Sequence, residues 1–242
     1  MSSRYANDFT MDEVRVFWDG IAEHEYEHAN EQLDRVHTQR FREAVKRLDL
    51  APGTRLLNIW SRIGDGTPWL RKDCPEIKLV NAELSLEMLR GSRRLNPEEA
   101  HVQTSLHELP FLDDSFDRIM SLETLEHVPD PLLFLKELRR VVVDGGRLVM
   151  SLPPSFAEWT SVLNGILKFH HGEGPHRFLA PREVRDMLRD SGFRLDDYRG
   201  TLFLPIGGAG IERFDCVIAD LVGKSFLGQL GMRSFYVCTA AV

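Results

Sequence analysis

The sequence predicts an α/β protein with a doubly wound, mostly parallel sheet of about seven strands, an N-terminal helical arm and a helical insert after the fifth strand. Three observations lead to this prediction. Apolar segments of strand length alternate with longer segments whose apolar residues recur at helical spacing. Glycine- and proline-bearing turns separate these segments. Several apolar runs are continuous, which is typical of strands that are buried on both faces of a sheet.

The elements follow one another in a regular order. The first fifty residues form the helical arm, since Val14, Trp18 and Ile21 recur at helical spacing. The predicted strands are RLLNI (55–59), IKLVNAE (77–83), AHVQTS (100–105), FDRIMSL (116–122), RLVMSLP (147–153), FRLDDYRGTLF (193–203) and RSFYVCTA (233–240). The predicted helices cover 85–95, 131–142, 180–192 and about 211–230. A turn is predicted at 144–146, from the sequence Asp-Gly-Gly.

The chain is predicted to form a single domain over 1–242, since it has no internal repeat, low-complexity tract or linker. We divide that domain into four parts. They are the arm (1–50), a ligand-binding core (51–153), an irregular insert that could be a lid (154–179) and the C-terminal part of the sheet (180–242). The apolar side of the insert is equally consistent with a helix packed in the core.

Composition restricts the partners and the compartment. The net charge is −7 and the isoelectric point is near 5.7, so an acidic chain without a basic stripe is not expected to bind nucleic acid. The three cysteines are scattered, which predicts a reducing, cytoplasmic location. The N-terminus does not resemble a signal peptide, and no apolar run has the length of a transmembrane segment. The oligomeric state stays open.

Three segments fall at the carboxyl ends of the predicted strands, where ligands of doubly wound sheets bind. The first is the loop in LLNIWSRIGDG (56–66). The second is Glu83, 19 positions beyond Gly64, where a carboxylate can accept hydrogen bonds from a ribose diol. The alternative for Glu83 is a solvated acid at a strand end. The third is SLHELPFLDDSFDRIMSLETLEHVPDP (105–131).

The third segment closely resembles the third-loop and fourth-strand signature of S-adenosylmethionine-dependent methyltransferases of the ubiquinone/menaquinone-biosynthesis type. Other motifs of that family are similar to VNAELSLEMLRGSRR (80–94), LRRVVVDGGRLVMSLP (138–153) and FLAPREVRDMLRDSGF (178–193), so the resemblance covers roughly 50–200. It implies a class I, Rossmann-like fold, S-adenosyl-L-methionine as cofactor, and methyl transfer to a small-molecule or lipid-like acceptor. A nicotinamide-dependent dehydrogenase is disfavoured, because the third segment has no place in one.

The resemblance also implies a pose for the cofactor. Glu83 would accept the ribose hydroxyls, and Leu84 would pack on adenine. Ser105 stands where the family usually has an aspartate that receives the adenine amino group, and the backbone N–H of Leu106 would reach the ring. The residues that would line the methionine portion are Ser121 and Leu122.

The first glycine motif departs from the family pattern. An acidic-x-Gly-x-Gly-x-Gly motif is replaced by Asn58-Ile-Trp60-Ser-Arg62-Ile-Gly64, which keeps only the last glycine. Since a non-glycine residue at positive φ costs about 1–2 kcal/mol, we expect another course for the loop, or a carboxylate partner for Arg62. The cofactor's own carboxylate could accept from that guanidinium. Alternatively Trp60 and Arg62 fill the pocket, and the chain is a catalytically inactive binding or partner subunit.

Histidines are the candidates for proton transfer or acceptor contact. They are His127, after the fourth strand, and His171 and His176, in the insert. The alternatives are that His127 caps the following turn and that the insert histidines only pack within their loop. No metal site is predicted, because the histidines of HHGEGPHRF (170–178) lack a recognised ligand spacing.

Overall fold

The computed structural model describes residues 3–27, 34–153, 174–204 and 209–242. These residues contain seven strands, which are β1 (Arg55–Ile59), β2 (Lys78–Glu83), β3 (Ala100–Gln103), β4 (Phe116–Leu122), β5 (Val142–Leu152), β6 (Phe193–Thr201) and β7 (Arg233–Ala240). The α-helices are α1 (Met11–Glu27), α2 (Asp34–Leu48), α3 (Thr67–Asp73), α4 (Leu86–Leu95), α5 (Pro131–Val141), α6 (Pro181–Asp190) and α7 (Ala209–Val222). Two 3₁₀ helices lie at Leu125–His127 and Phe226–Leu230.

The strands form one sheet in the order β3-β2-β1-β4-β5-β7-β6. The first five strands of this order are parallel, and β7 pairs antiparallel with both β5 and β6. The chain order reverses between β1 and β4, so their carboxyl ends form the crevice where ligands bind in such sheets. This architecture confirms the predicted doubly wound, mostly parallel, Rossmann-like fold.

Two apolar clusters hold the sheet. One includes Trp18 of α1 and Phe134 of α5, and the other includes Phe41 of α2 and Leu70 of α3. Residues of β4 alternate between them, with Ile119 in the first cluster and Met120 in the second. Helices therefore cover both faces, which is why the strands read as continuous apolar runs.

Local chemistry sets the ends of several helices. The Ser85 hydroxyl accepts from the backbone N–H of Met88 and caps α4. Pro181 lies in the first turn of α6, and Gly192 follows that helix with φ +88°. Among the described helices, none is long and apolar enough to cross a bilayer.

The structure corrects two predicted elements and adds a helix that was not predicted. Strand β5 begins at Val142, so the turn predicted at 144–146 is instead a bulge within the strand, with Gly145 at φ +72°. The helix predicted over 211–230 is two elements, because α7 ends at Val222 and a 3₁₀ helix follows. Helix α3 was not predicted at all. Most of the predicted insert, residues 154–173, lies outside the described residues.

Glycines allow three backbone segments to meet closely beside β6. A Cβ on Gly200 would lie 1.7 Å from the carbonyl oxygen of Gly228, and one on Gly228 would lie 2.1 Å from that of Gly223. The N–H of Gly200 donates to the Gly223 carbonyl at 2.8 Å. The end of α7 and the following 3₁₀ helix therefore pack backbone to backbone on β6.

We expect Gly200→Ala to destabilise the protein by about 3 kcal/mol, at the upper end of the range for overpacking, because its methyl group would meet backbone. Gly20→Ala is the matched control: Gly20 is exposed within α1 and nothing lies within 4 Å of its added Cβ. That change should stabilise by about 0.5–1 kcal/mol. Urea denaturation measures both. Equal effects from the two variants would contradict the packing assigned to Gly200.

Candidate functional site

The loop after β1 has a glycine-like backbone although two of its residues are large. Trp60, Arg62 and Gly64 have φ of 62°, 50° and 75°. Of the two outcomes that we expected, another course for the loop is therefore wrong, and a carboxylate partner for the Arg62 side chain stays a prediction. A Cβ on Gly64 would lie 2.3 Å from the Ser92 hydroxyl and 2.6 Å from the Asn96 amide nitrogen, so this retained glycine lets the loop pack closely on α4.

Glu83, at the end of β2, holds this loop in place. Its carboxylate accepts from the backbone N–H groups of Arg62 at 2.7 Å, Leu84 at 2.8 Å and Ser85 at 3.1 Å. The residue is 1% exposed. This burial raises the pKa of the carboxyl to about 7, although the three hydrogen bonds favour the anion and lower the pKa. A carboxylate has about four acceptor positions, so one remains for a ligand hydroxyl.

Asn58 takes part in a buried polar chain beneath the loop. Its side-chain amide donates to Asn81 at 2.8 Å, and the Asn81 amide donates to the Thr67 hydroxyl at 3.0 Å. These bonds tie β1 to β2 and to the start of α3. The structure therefore gives Asn58 a role between strands, and cofactor contact by this residue stays a prediction.

The side chains of Trp60 and Arg62 lie against the arm. Trp60 is 5% exposed and stacks on His127, with 5.6 Å between ring centroids and 11° between planes. Trp18 of α1 meets both rings edge-on, at 5.4 Å from Trp60 and 5.5 Å from His127. The Arg62 guanidinium lies 4.8 Å from the centre of a Trp18 ring. These four side chains cover the crevice between β1 and β4.

Hydrogen bonds fasten the arm at both sides of the crevice. Asn7 donates from its backbone to Pro129 at 2.7 Å and from its side chain to Val128 at 2.8 Å. Asp19 of α1 accepts from the Ser85 hydroxyl at 2.6 Å. The arm therefore spans from the turn after β4 to the start of α4.

Two of the three candidate histidines come together. The rings of His127 and His176 are 5.9 Å apart, and His171 lies outside the described residues. Burial, with smaller contributions from His176 and Arg62, lowers the pKa of His127 to about 4, so the ring is neutral near pH 7. Its Nδ1 lies 2.9 Å from the Pro175 carbonyl and must donate to it, which leaves Nε2 as an acceptor.

The residues implied for adenine differ in exposure. Leu84 and Leu106 are buried in the same apolar cluster as Trp60. Ser105 is exposed, and its hydroxyl accepts from the backbone of His107 at 3.2 Å. Contact of these three residues with adenine therefore stays a prediction.

The residues implied for the methionine portion point to opposite faces of the sheet. Ser121 is buried, and its hydroxyl donates to that of Thr124 at 3.0 Å. Leu122 packs in the second apolar cluster, with Phe41 and Leu70. The contacts of Ser121 and Leu122 with the methionine portion stay predictions.

A buried ionic network beside the crevice was not found from the sequence. Arg40 of α2 donates to Glu123 at 3.2 Å and to Asp65 at 3.1 Å. Arg233 of β7 also donates to Glu123, and it reaches Gln39 at 2.6 Å. The two guanidinium groups hold the pKa of Glu123 well below its usual range despite burial. No local pattern signals this network, because its members come from four distant segments.

The raised pKa of Glu83 predicts a pH effect on stability. Between its ordinary value of 4.5 and about 7, the folded state binds the proton more tightly than the unfolded chain, so this contribution falls as pH rises through that range. We expect the free energy of unfolding of wild type, relative to that of Glu83→Gln, to fall by up to about 3 kcal/mol from pH 5 to pH 8. Urea denaturation at each pH measures this difference. A pH-independent difference would show that the carboxyl titrates below this window.

Removing the charge of Glu123 should be far more damaging than removing an exposed one. Glu123→Gln leaves two buried guanidinium groups without their shared anion, and we expect a loss of about 3–5 kcal/mol in the free energy of unfolding. Glu87→Gln is the control: Glu87 pairs with Arg90 where both side chains are roughly half exposed, and it should cost less than about 1 kcal/mol. Similar losses in chemical denaturation would argue against the network.

Comparison with known proteins places this arrangement in a family. Residues 61–150 match a family profile described as a methyltransferase domain. The demethylmenaquinone methyltransferase of Renibacterium salmoninarum is 31% identical over 163 residues, which cover 66% of this chain and 68% of that protein. Methyltransferase GfsG of Streptomyces halstedii is 35% identical over 111 residues, 44% of this chain, and the match spans only 40% of GfsG.

A solved structure supports the fold. The magnesium protoporphyrin IX methyltransferase of Synechocystis, solved with bound S-adenosylhomocysteine, superposes with a TM-score of 0.68 over 96% of this chain and 99% of that one, at 13% identity. The sheet order is that of a doubly wound sheet, and the match to the Renibacterium enzyme at 31% identity spans more than two thirds of that protein. The chain therefore belongs to the class I S-adenosylmethionine-dependent methyltransferase family.

Proposed function

We propose that this protein transfers the methyl group of S-adenosyl-L-methionine to a small-molecule or lipid-like acceptor. The observation that carries the proposal is the position of Glu83, at the carboxyl end of β2 and bonded to the backbone of the loop after β1. In doubly wound sheets, a carboxylate at this position accepts hydrogen bonds from the ribose hydroxyls of the ligand. Family membership supports the same cofactor.

The side chains around the crevice fit that cofactor. Within the described residues, the buried Ser61 hydroxyl of the loop has no hydrogen-bond partner, and Glu83 keeps one acceptor position. A polar ligand would satisfy both. Leu84 and Leu106 supply apolar surface for a purine, and Arg62 supplies a cation for a carboxylate.

The residues of this chain would contribute orientation and exclusion of water. When bound, the cofactor supplies an electrophilic methyl group on a sulfonium, and its transfer is an in-line displacement that depends on alignment. Trp18 and Trp60 cover the crevice and keep water from it. His127, neutral and with Nε2 as acceptor, could take the proton of a hydroxyl acceptor, an effect of about 10²–10⁴-fold.

A lipid-like acceptor is favoured within this proposal. The Renibacterium relative is named for a quinone substrate, demethylmenaquinone. The crevice is bordered here by aromatic side chains, including Trp18, Trp60 and Phe17. Such a surface suits a flat, apolar acceptor.

One observation favours a second candidate, an inactive binding or partner subunit. The Trp60 indole is almost fully buried and stacked, so it occupies space over β1 that a ligand could require. In that case the fold would persist without cofactor binding.

Titration calorimetry with S-adenosylmethionine and S-adenosylhomocysteine separates the two candidates. We expect wild type to bind both, and a ligand at 100 times its Kd to stabilise the fold by about 2.7 kcal/mol. Glu83→Gln should weaken binding at least ten-fold, because an amide offers one acceptor fewer to the ribose. Binding that appears only after Trp60→Gly and Arg62→Gly are combined would overturn the enzymatic proposal and support the inactive subunit.

A further inference from the structure

The indole N–H of Trp18 is a buried donor that has no acceptor among the residues that the structure describes. Trp18 is 7% exposed, and no acceptor lies within hydrogen-bond reach of Nε1 in the described part of the chain. Buried indole N–H groups usually have a partner, because leaving one unsatisfied costs free energy. A buried group without a partner in an unliganded protein is therefore a candidate for ligand contact.

The surroundings of Trp18 place this donor at the crevice. Its ring is bordered by Trp60, from the loop after β1, and by His127, from the turn after β4. The next residue of α1, Asp19, is bonded to Ser85, two positions beyond Glu83. These contacts place the Trp18 ring between the arm and the ends of β1, β2 and β4, where we propose that the cofactor binds.

The charge beside Trp18 indicates which group that is. The Arg62 guanidinium lies 4.8 Å from the centre of a Trp18 ring, and its charge lowers the pKa of both Glu83 and His127. A cation next to a neutral donor selects an anionic acceptor. The proposed cofactor carries one such group, the carboxylate of its amino-acid end.

We infer that the Trp18 indole N–H, together with Arg62, binds the carboxylate of the amino-acid end of the cofactor. The inference rests on the proposed function and adds to it a residue from the arm. Arg62 occupies a glycine position of the family motif, so the carboxylate contact is made by side chains from two segments in this chain. The arm is then part of the cofactor site and not only its cover.

Two nucleosides test the inference by calorimetry on the full chain. S-Adenosylhomocysteine has the amino-acid end, and 5′-methylthioadenosine lacks it. Trp18→Phe removes the N–H and keeps an aromatic ring, so it should weaken S-adenosylhomocysteine binding roughly ten-fold and leave 5′-methylthioadenosine binding within about two-fold. Trp69→Phe, a half-buried residue of the second apolar cluster, is the matched control and should change neither affinity.

Each outcome bears on one claim. Equal weakening of both nucleosides by Trp18→Phe would assign Trp18 to packing and overturn the inference, as would unchanged affinity for both. If wild type binds neither nucleoside, the proposed function fails instead. Should Trp18→Phe not unfold cooperatively on heating, Trp18→Met fills the gap with a flexible apolar chain, and the same selective loss is expected.

Discussion

The hydrogen bonds from three backbone N–H groups to the Glu83 carboxylate fix the geometry on which the crevice depends. They join the loop after β1 to the first residues beyond β2, and so hold two strand ends at a set distance. Because one of the donors is the N–H of Arg62, the same carboxylate stabilises a residue with positive φ. Burial makes this group sensitive to any loss of its donors, since a buried anion is stable only while it is hydrogen-bonded.

A second, partly buried carboxylate organises the other side of the crevice. Glu123 follows β4 directly and accepts from Arg40 of α2 and Arg233 of β7, while Arg40 also reaches Asp65 in the loop after β1. The loop after β1 is therefore held at two points. The Glu83 carboxylate bonds to Arg62, and the ion-pair network reaches Asp65 through Arg40. Such networks are costly to break because each partner would be left charged and desolvated.

The sequence was most informative where neighbouring residues determine the structure. The bounds of β1 and β4 were predicted to the residue, since continuous apolar runs and flanking turns are local signals. Helix α3 was missed because its seven residues are too short to show a period. The network at Glu123 joins residues separated by 83 and 110 positions, and the stacking of Trp60 on His127 joins the loop after β1 to the turn after β4. Neither arrangement has a local sequence signal.

The substitutions in the glycine motif make the loop and the arm energetically dependent on each other. Positive φ at Trp60 and Arg62 costs about 1–2 kcal/mol for each residue. Aromatic pairs contribute about 0.5–1.5 kcal/mol beyond the area they bury, and Trp60 makes two, with Trp18 and His127. The two sums are comparable. Only the pair with Trp18 involves α1, so packing of the arm offsets part of the cost, and the pair with His127 and the hydrogen bond from Arg62 to Glu83 offset the rest. Glycines would form the same loop at a smaller conformational cost, whereas here packing of the arm on Trp60 offsets part of that cost.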